Sequence, residues 1–280
     1  MPFQKSEIEY IDDLLGSKLT WRLLRVLVMY PFLSFRLSYL SSRLKTSNKS
    51  ILRIIRKLTE RGLVLGIVGS HERYRINPRM RMTRKIWSIF MSERILRLPK
   101  EAIDITLPYF ETVKNKTDAF VICECPTLDD AVIFNDRVYV AAVSDRWGID
   151  DISPAPLKLN VSLFTKEQFT KLDNPISQCA LLNGIVLRGE DFIFSQLACL
   201  KSFPQPYVID KLDIYSRALS QNGYPDQNIQ KRQLEIITNN IHDFETQFDI
   251  REDKYAQNTL LDRINYLKTA LSKDKHERYI

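Results

Sequence analysis

Thr46-Ser-Asn-Lys-Ser-Ile-Leu-Arg-Ile-Ile-Arg-Lys-Leu-Thr-Glu-Arg-Gly-Leu-Val64 reads as one helix with a start and a stop. A side-chain oxygen of Ser47 or Asn48 can accept from an otherwise unpaired amide of the first turn. Ile51, Ile54, Ile55 and Leu58 recur at the spacing of a core-facing stripe. Lys49, Ser50, Arg53 and Lys57 fall on the opposite side. Gly62 closes the helix, because glycine enters the left-handed C-terminal conformation without a steric penalty. Leu63-Val64 then starts an extended run. The segment is polar at its start, apolar on one face and basic on the other, a pattern that an ordinary surface helix also satisfies.

The flanks narrow the choice. Leu19 to Tyr30 predicts an apolar helix that Pro31 ends. Phe35 to Leu44 predicts a second, short helix with Leu37, Leu40 and Leu44 inward. Downstream, Leu63 to Val68 and Arg73 to Ile76 predict two strands joined by the turn Gly69-Ser-His-Glu72. Three helices followed by a hairpin is the winged helix-turn-helix order. With Leu40-Ser-Ser-Arg-Leu44, Lys49-Ser-Ile51, Leu58-Thr-Glu-Arg-Gly-Leu-Val64 and Arg73-Tyr-Arg-Ile76, residues 15–80 resemble winged-helix regulators of the MarR and ArsR type. The resemblance implies that the third helix enters the major groove of double-stranded DNA. Asn48, Lys49, Ser50, Arg53 and Lys57 are then the candidate groove contacts. His71, Arg73 and Arg75 are the candidate wing contacts to phosphate or the minor groove. The same fold also serves protein contact alone.

Charge is distributed to match. The 280 residues carry a net charge of +7 and are 44% hydrophobic, with length for about two domains of ordinary size. Residues 1–98 hold twenty Lys and Arg against seven Asp and Glu, while the remainder is close to neutral or acidic. The basic surface therefore belongs to the segment with the hairpin, as a phosphate-facing module requires. A uniformly basic chain would imply only general stickiness.

Cys123 and Cys125 are separated by one residue, against about two to four at zinc sites. These two, with Cys179 and Cys199, are expected to be reduced thiols in or near the core, and no metal or cofactor is expected. The first residues are polar and charged, unlike a secretory leader. No stretch reaches the ~18 apolar residues of a membrane span. A soluble, cytoplasmic protein with no membrane partner is expected.

Two further stripes bear on assembly. Ile8, Ile11, Leu14 and Leu15 line an acidic helical turn, and Ile86, Trp87, Phe90, Ile95 and Leu98 line a helix with a basic opening. Both are candidate homodimer surfaces, and the second fits equally well as a connector packed on the next domain. Lys100 to Val113 predicts another helix with Ile103, Leu107 and Phe110 inward, kinked or broken at Pro108.

From Thr117 the pattern becomes extended. Asp118 to Glu124, Ala131 to Phe134 and Arg137 to Val143 predict strands, and Leu157 to Phe164 alternates with period two. Thr165-Lys-Glu-Gln168 has the form of a capping box. Ile176 to Leu182 predicts a helix, and Asn183 to Gly189 a short strand. Asn160-Val-Ser-Leu-Phe-Thr-Lys-Glu-Gln-Phe169 and Leu182-Asn-Gly-Ile-Val-Leu-Arg-Gly189 are similar to the end of the minimal nucleotidyltransferase domain of the DNA polymerase β superfamily. The resemblance covers residues 115–190. It implies a Gly-Ser pair after the first strand, an Asp-X-Asp further on and a third Asp on a later strand, together holding two magnesium ions. Here Cys123-Glu124, Asp136-Arg137-Val138 and Asn160 occupy those places. With one carboxylate left, no catalytic residue is nominated.

The final third predicts helices over Phe192 to Leu200, Tyr207 to Asn222, Gln227 to Phe248 and Lys254 to Leu271. It resembles the helical partner fused to many nucleotidyltransferase domains. No His arrangement suits nucleophilic catalysis. The expected class is α+β: a winged helix over residues 1–98, a small mixed α/β nucleotidyltransferase-like domain over 99–203 and a helical region over 204–280. The expected function is a homodimeric, double-stranded-DNA-binding transcriptional regulator. Its second domain is inactive and senses a small molecule or contacts a protein. An active nucleotidyltransferase and an antitoxin-like protein-binding scaffold are the alternatives.

Overall fold

The structure is a computed structural model that describes residues 17–67, 72–124, 132–146 and 155–220, with helical positions inside 237–244 and 262–269. The Ile8 to Leu15 stripe, His71, Cys125 and most of the last two expected helices lie outside the described residues. The architecture is mixed helix and strand with two separate sheets. The chain divides into two compact units, residues 1–92 with 197–201 and residues 93–196 with 202–280.

The first unit opens with α1 (Lys18–Met29), which buries Leu23, Leu24, Leu27 and Val28. Then come β1 (Phe35–Arg36), α2 (Leu37–Leu44), α3 (Asn48–Glu60), β2 (Val64–Ile67), β3 (Arg73–Ile76) and α4 (Arg81–Leu96), of which the residues from Glu93 onward belong to the second unit. The sheet is antiparallel in the order β1-β3-β2. Phe35 and Arg36, expected as a first helical turn, are extended and pair with Tyr74 and Arg73. The strand pairing carries Phe35 into the core, where its ring stacks on Tyr39 at 5.3 Å. Those contacts outweigh one more turn of helix. α2 ends at Lys45 in the left-handed region (φ 52°), and the Thr46 amide donates to the Ser41 carbonyl.

α3 is the expected helix. Ser47 caps it, its Oγ accepting from the Ser50 amide at 3.2 Å. Ile51, Ile54, Ile55 and Leu58 are buried, and Gly62 takes φ +71°. In α4, Ile86, Trp87, Phe90 and Met91 are buried. Trp21 meets Phe90 edge to face at 5.5 Å, and the Arg25 guanidinium lies over the same ring at 5.0 Å. This corrects the Ile86 to Leu98 stripe as a homodimer surface: the chain covers it itself. The large apolar side chains that α4 leaves exposed are Ile89 and Leu96.

In the second unit, α5 (Lys100–Val113) precedes β4 (Ala119–Cys123), β5 (Ile133–Phe134), β6 (Arg137–Val143) and β7 (Leu159–Phe164). α6 (Lys166–Lys171), α7 (Pro175–Asn183), β8 (Ile185–Arg188), α8 (Glu190–Cys199) and α9 (Gln205–Ser220) follow. β6 pairs antiparallel with β4 and parallel with β7, and β8 lies antiparallel on the far side of β4. Val138 pairs with both Ile133 and Leu159. β5 therefore continues along the edge of β6 that β4 occupies. Asn135 and Asp136 both take positive φ, the geometry of a tight two-residue hairpin.

One side of this sheet contributes Phe120, Ile122, Val138, Val140, Ala142, Leu159 and Ile185 to a core shared with α5. The buried residues of α5 there are Ala102, Thr106, Tyr109 and Val113, and Ile103 and Phe110, expected inward, are partly buried against the same core. Leu107, expected inward, is 46% exposed. Small Ala102 and Thr106 let the helix lie close to the strands, which a Leu at that level would prevent. α5 also runs unbroken through Pro108. The Asp104 carbonyl that loses its donor is on the exposed side, where water can serve it. α7 packs against β4 and β6. Gly184, between α7 and β8, has no room for a side chain, since a Cβ there would stand 2.2 Å from the Ala180 carbonyl oxygen and 2.2 Å from Val121. Cys123 and Cys179 are buried free thiols, as expected, but Cys199 at the end of α8 is exposed.

Candidate nucleic-acid interface

The outer side of α3 is a basic surface whose placement the first unit fixes. Its inner side is locked by four buried aliphatic residues, so the orientation of its outer side is set. Asn48, Lys49, Arg53 and Lys57 are exposed there. Arg56 is exposed among them and belongs to the same face, three residues after Arg53 and seven after Lys49. It is a residue that the sequence reading omitted, though the helical wheel alone could have placed it. Ser50 is half-buried, and its hydroxyl lies 2.9 Å from that of Ser47. Its hydroxyl and amide thus belong to the capped first turn of α3. Between Asp13 and Glu60 the chain has ten Lys and Arg and no Asp or Glu, so no carboxylate of this stretch offsets the face.

The strand β3 departs from expectation. Alternation puts Arg73 and Arg75 on one side of the sheet, but Arg73 is only 8% exposed. Its Nη1 donates to the Ser34 carbonyl at 3.3 Å, in the turn before β1. Arg73 is therefore corrected from a wing contact to a side chain that ties the sheet to that turn. Arg75 is half-buried, and its Nε has no hydrogen-bond partner among the described residues. Tyr74, on the opposite side, is buried. Burial first, then the neighbouring Glu72, pushes its hydroxyl up to about 12, against the opposing pull of Arg56. It stays neutral through the ordinary pH range.

In the second unit, the positions singled out by sequence carry other work. Glu124 pairs with Arg94 at 2.8 Å. The same guanidinium donates to the carbonyls of Gly184, at 3.0 Å, and Asn183. Asp136, exposed in the tight turn, pairs with Lys158 at 3.1 Å, and Lys158 also reaches Glu101 at 3.4 Å. Val138 is buried in the core shared with α5. Asn160 is half-buried and stands opposite Tyr139 in the parallel pairing. At the start of α6, Lys166 Nζ lies 2.9 Å from Asp118 and 3.5 Å from Asp145. Its hydrogen bond holds the Asp118 carboxyl below the usual carboxylate range.

Among the described residues, no three His, Cys, Asp or Glu side chains gather as metal ligands. No described helix is long and apolar enough to cross a membrane. Comparison with family models, with curated proteins and with solved structures finds no match to this chain.

Proposed function

We propose that the protein is a double-stranded-DNA-binding transcriptional regulator whose first unit is a winged helix and whose α3 reads the major groove. The carrying observation is the outer side of α3, where Asn48, Lys49, Arg53, Arg56 and Lys57 are exposed on a helix fixed by its buried stripe. The order of α1, β1, α2, α3 and the β2–β3 hairpin, with β3 central in its sheet, supports the winged-helix reading. Arg and Asn are the side chains that pair with guanine and adenine edges, and Lys49 and Lys57 suit phosphates. Such modules commonly bind two half-sites as two-fold dimers. We therefore propose a homodimer, which light scattering on the full chain would reject by returning a monomer both free and on DNA.

The second unit we read as a nucleotidyltransferase-like scaffold without the chemistry. The antiparallel β4–β6 and parallel β6–β7 pairings support that reading, and Val138 in the core and Glu124 on Arg94 support the loss of activity. Its role is then to sense a ligand or to hold a partner. The deciding experiment is fluorescence anisotropy of the full chain with duplex DNA from upstream of its own gene, beside a scrambled duplex of equal length. Tighter binding to the native duplex is expected. Equal binding to both, or to neither, overturns a sequence-reading regulator.

A further inference from the structure

The corner where α3 ends and α4 begins is built rigidly around Asn77. Its amide donates to the Leu63 carbonyl at 2.7 Å, and its Nδ2 donates to the Gly62 carbonyl at 2.9 Å. Its Oδ1 accepts from the Arg79 amide at 3.2 Å, and its carbonyl accepts from the buried Thr83 hydroxyl at 2.7 Å. The side chain of Met80 lies against Gly62. The start of α4 is thereby clamped to the end of α3. From this clamped turn Arg79 and Arg81 are exposed, with Lys85 one turn further along α4. Arg56 and Lys57 are exposed on the last turns of α3. None of these five is ion-paired among the described residues. From residue 14 to residue 92 the chain holds seventeen Lys and Arg against two acids, Glu60 and Glu72.

We propose that this corner is a second phosphate-binding surface, at which Arg79 and Arg81 grip the DNA backbone beyond the groove that α3 occupies. The inference rests on the reading of α3 as the groove helix. Thirteen residues of α3 span about 20 Å at 1.5 Å per residue. The major groove is about 12 Å wide. A helix whose first turns carry the base contacts therefore brings its far end to the flanking sugar-phosphate strand. Guanidinium forks match phosphate oxygens in pairs, and the Asn77 clamp holds their backbone in place before DNA arrives. Contacts of this kind position the protein and carry no base preference.

The test is the salt dependence of duplex binding by the full chain, read by anisotropy. Each phosphate contact contributes about 0.9 to the slope of log affinity against log salt. The double variant R79Q/R81Q should reduce the slope by about 2 while leaving the ratio of native to scrambled affinity unchanged. R79K/R81K, which keeps both charges, should retain most of the slope and so separate charge from any damage to the turn. An unchanged slope in R79Q/R81Q overturns the inference. So does a fall in slope that also erases the native-to-scrambled ratio, because the arginines would then read bases. If wild type binds no duplex, the groove reading of α3 itself has failed, a result distinct from failure of the corner alone.

Discussion

Arg53 and Arg73 carry the same guanidinium into opposite surroundings, and substituting them separates recognition from stability. Arg53 is exposed on the outer side of α3. Arg53→Ala should cost about 1–3 kcal/mol at a specific duplex and relax base choice there, with urea unfolding nearly unchanged. A variant that binds the native duplex as tightly as wild type would remove Arg53 from the interface. Arg73 is buried, with its Nη1 on the Ser34 carbonyl. Arg73→Ala strips a buried carbonyl of its donor, a loss of about 1–3 kcal/mol. The salt slope of DNA binding should stay at the wild-type value. A lowered slope with wild-type stability would restore Arg73 to the wing contacts. Alternation along Arg73-Tyr-Arg-Ile76 tells which residues share a side of a strand. It does not tell whether that side is covered, so the burial of Arg73 is invisible without the register to β1.

Elements whose signals are local were legible. α3 has its cap, its stripe and its glycine stop within nineteen residues. The Thr165 capping box forms as expected, with Gln168 Oε1 accepting from the Thr165 amide and Thr165 Oγ1 accepting from the Gln168 amide. β1 was missed because two residues become a strand only through a partner about forty positions away. On α5, Ile103 and Phe110 pack against the core as their spacing predicts. The deepest positions fall instead to Ala102, Thr106, Tyr109 and Val113, and Leu107 faces out, because the fit of the helix to the sheet decides which side sits closest. The candidate site followed the same division: Asn48, Lys49, Arg53 and Lys57 stand on the outer side of one local helix, while Ser50 and Arg73 are engaged by contacts that their own spacing does not reveal. The junction of β4 with α6 is also long-range, and it carries a pH dependence. Lys166 holds the Asp118 carboxyl below its ordinary value, so the unfolded chain takes up the proton first as pH falls. The pair contributes fully above the ordinary carboxylate range and is lost as pH drops through the lower folded value. Both side chains are partly exposed, so the effect is small. Asp118→Asn should therefore lower the urea midpoint slightly at pH 7 and match wild type by pH 2. A gap of the same size at both pH values would assign the loss to packing instead of charge.

Across the whole molecule, a basic unit is joined to one in which Glu124 and Asp136 are ion-paired, and this argues against metal-dependent nucleotide transfer. Magnesium keeps near-octahedral oxygen coordination and draws on one or two carboxylates together with substrate phosphates. If the second unit is nucleotidyltransferase-like, as proposed, Asp136 is the one carboxylate at the metal-binding positions, and it stands in an exposed turn beside Lys158. Val138 cannot be a ligand, and its place in the core shared with α5 leaves no space for a hydrated ion. Asn160 offers a neutral oxygen, without the charge that offsets dehydration of a divalent cation. On the proposed nucleotidyltransferase-like reading Glu124 would face the triphosphate, and it is held by Arg94, which also serves the carbonyls that lead into β8. Displacing that guanidinium would leave Glu124 facing the phosphates and strip two carbonyls of their donor. Titration calorimetry of magnesium-ATP into the full chain should therefore give no saturable heat at millimolar nucleotide, and a magnesium-dependent incorporation assay no product. Saturable heat that vanishes in Asp136→Ala would show Glu124 and Asp136 acting as a rearranged metal pair, and the second unit would then be an enzyme that the first unit delivers to DNA.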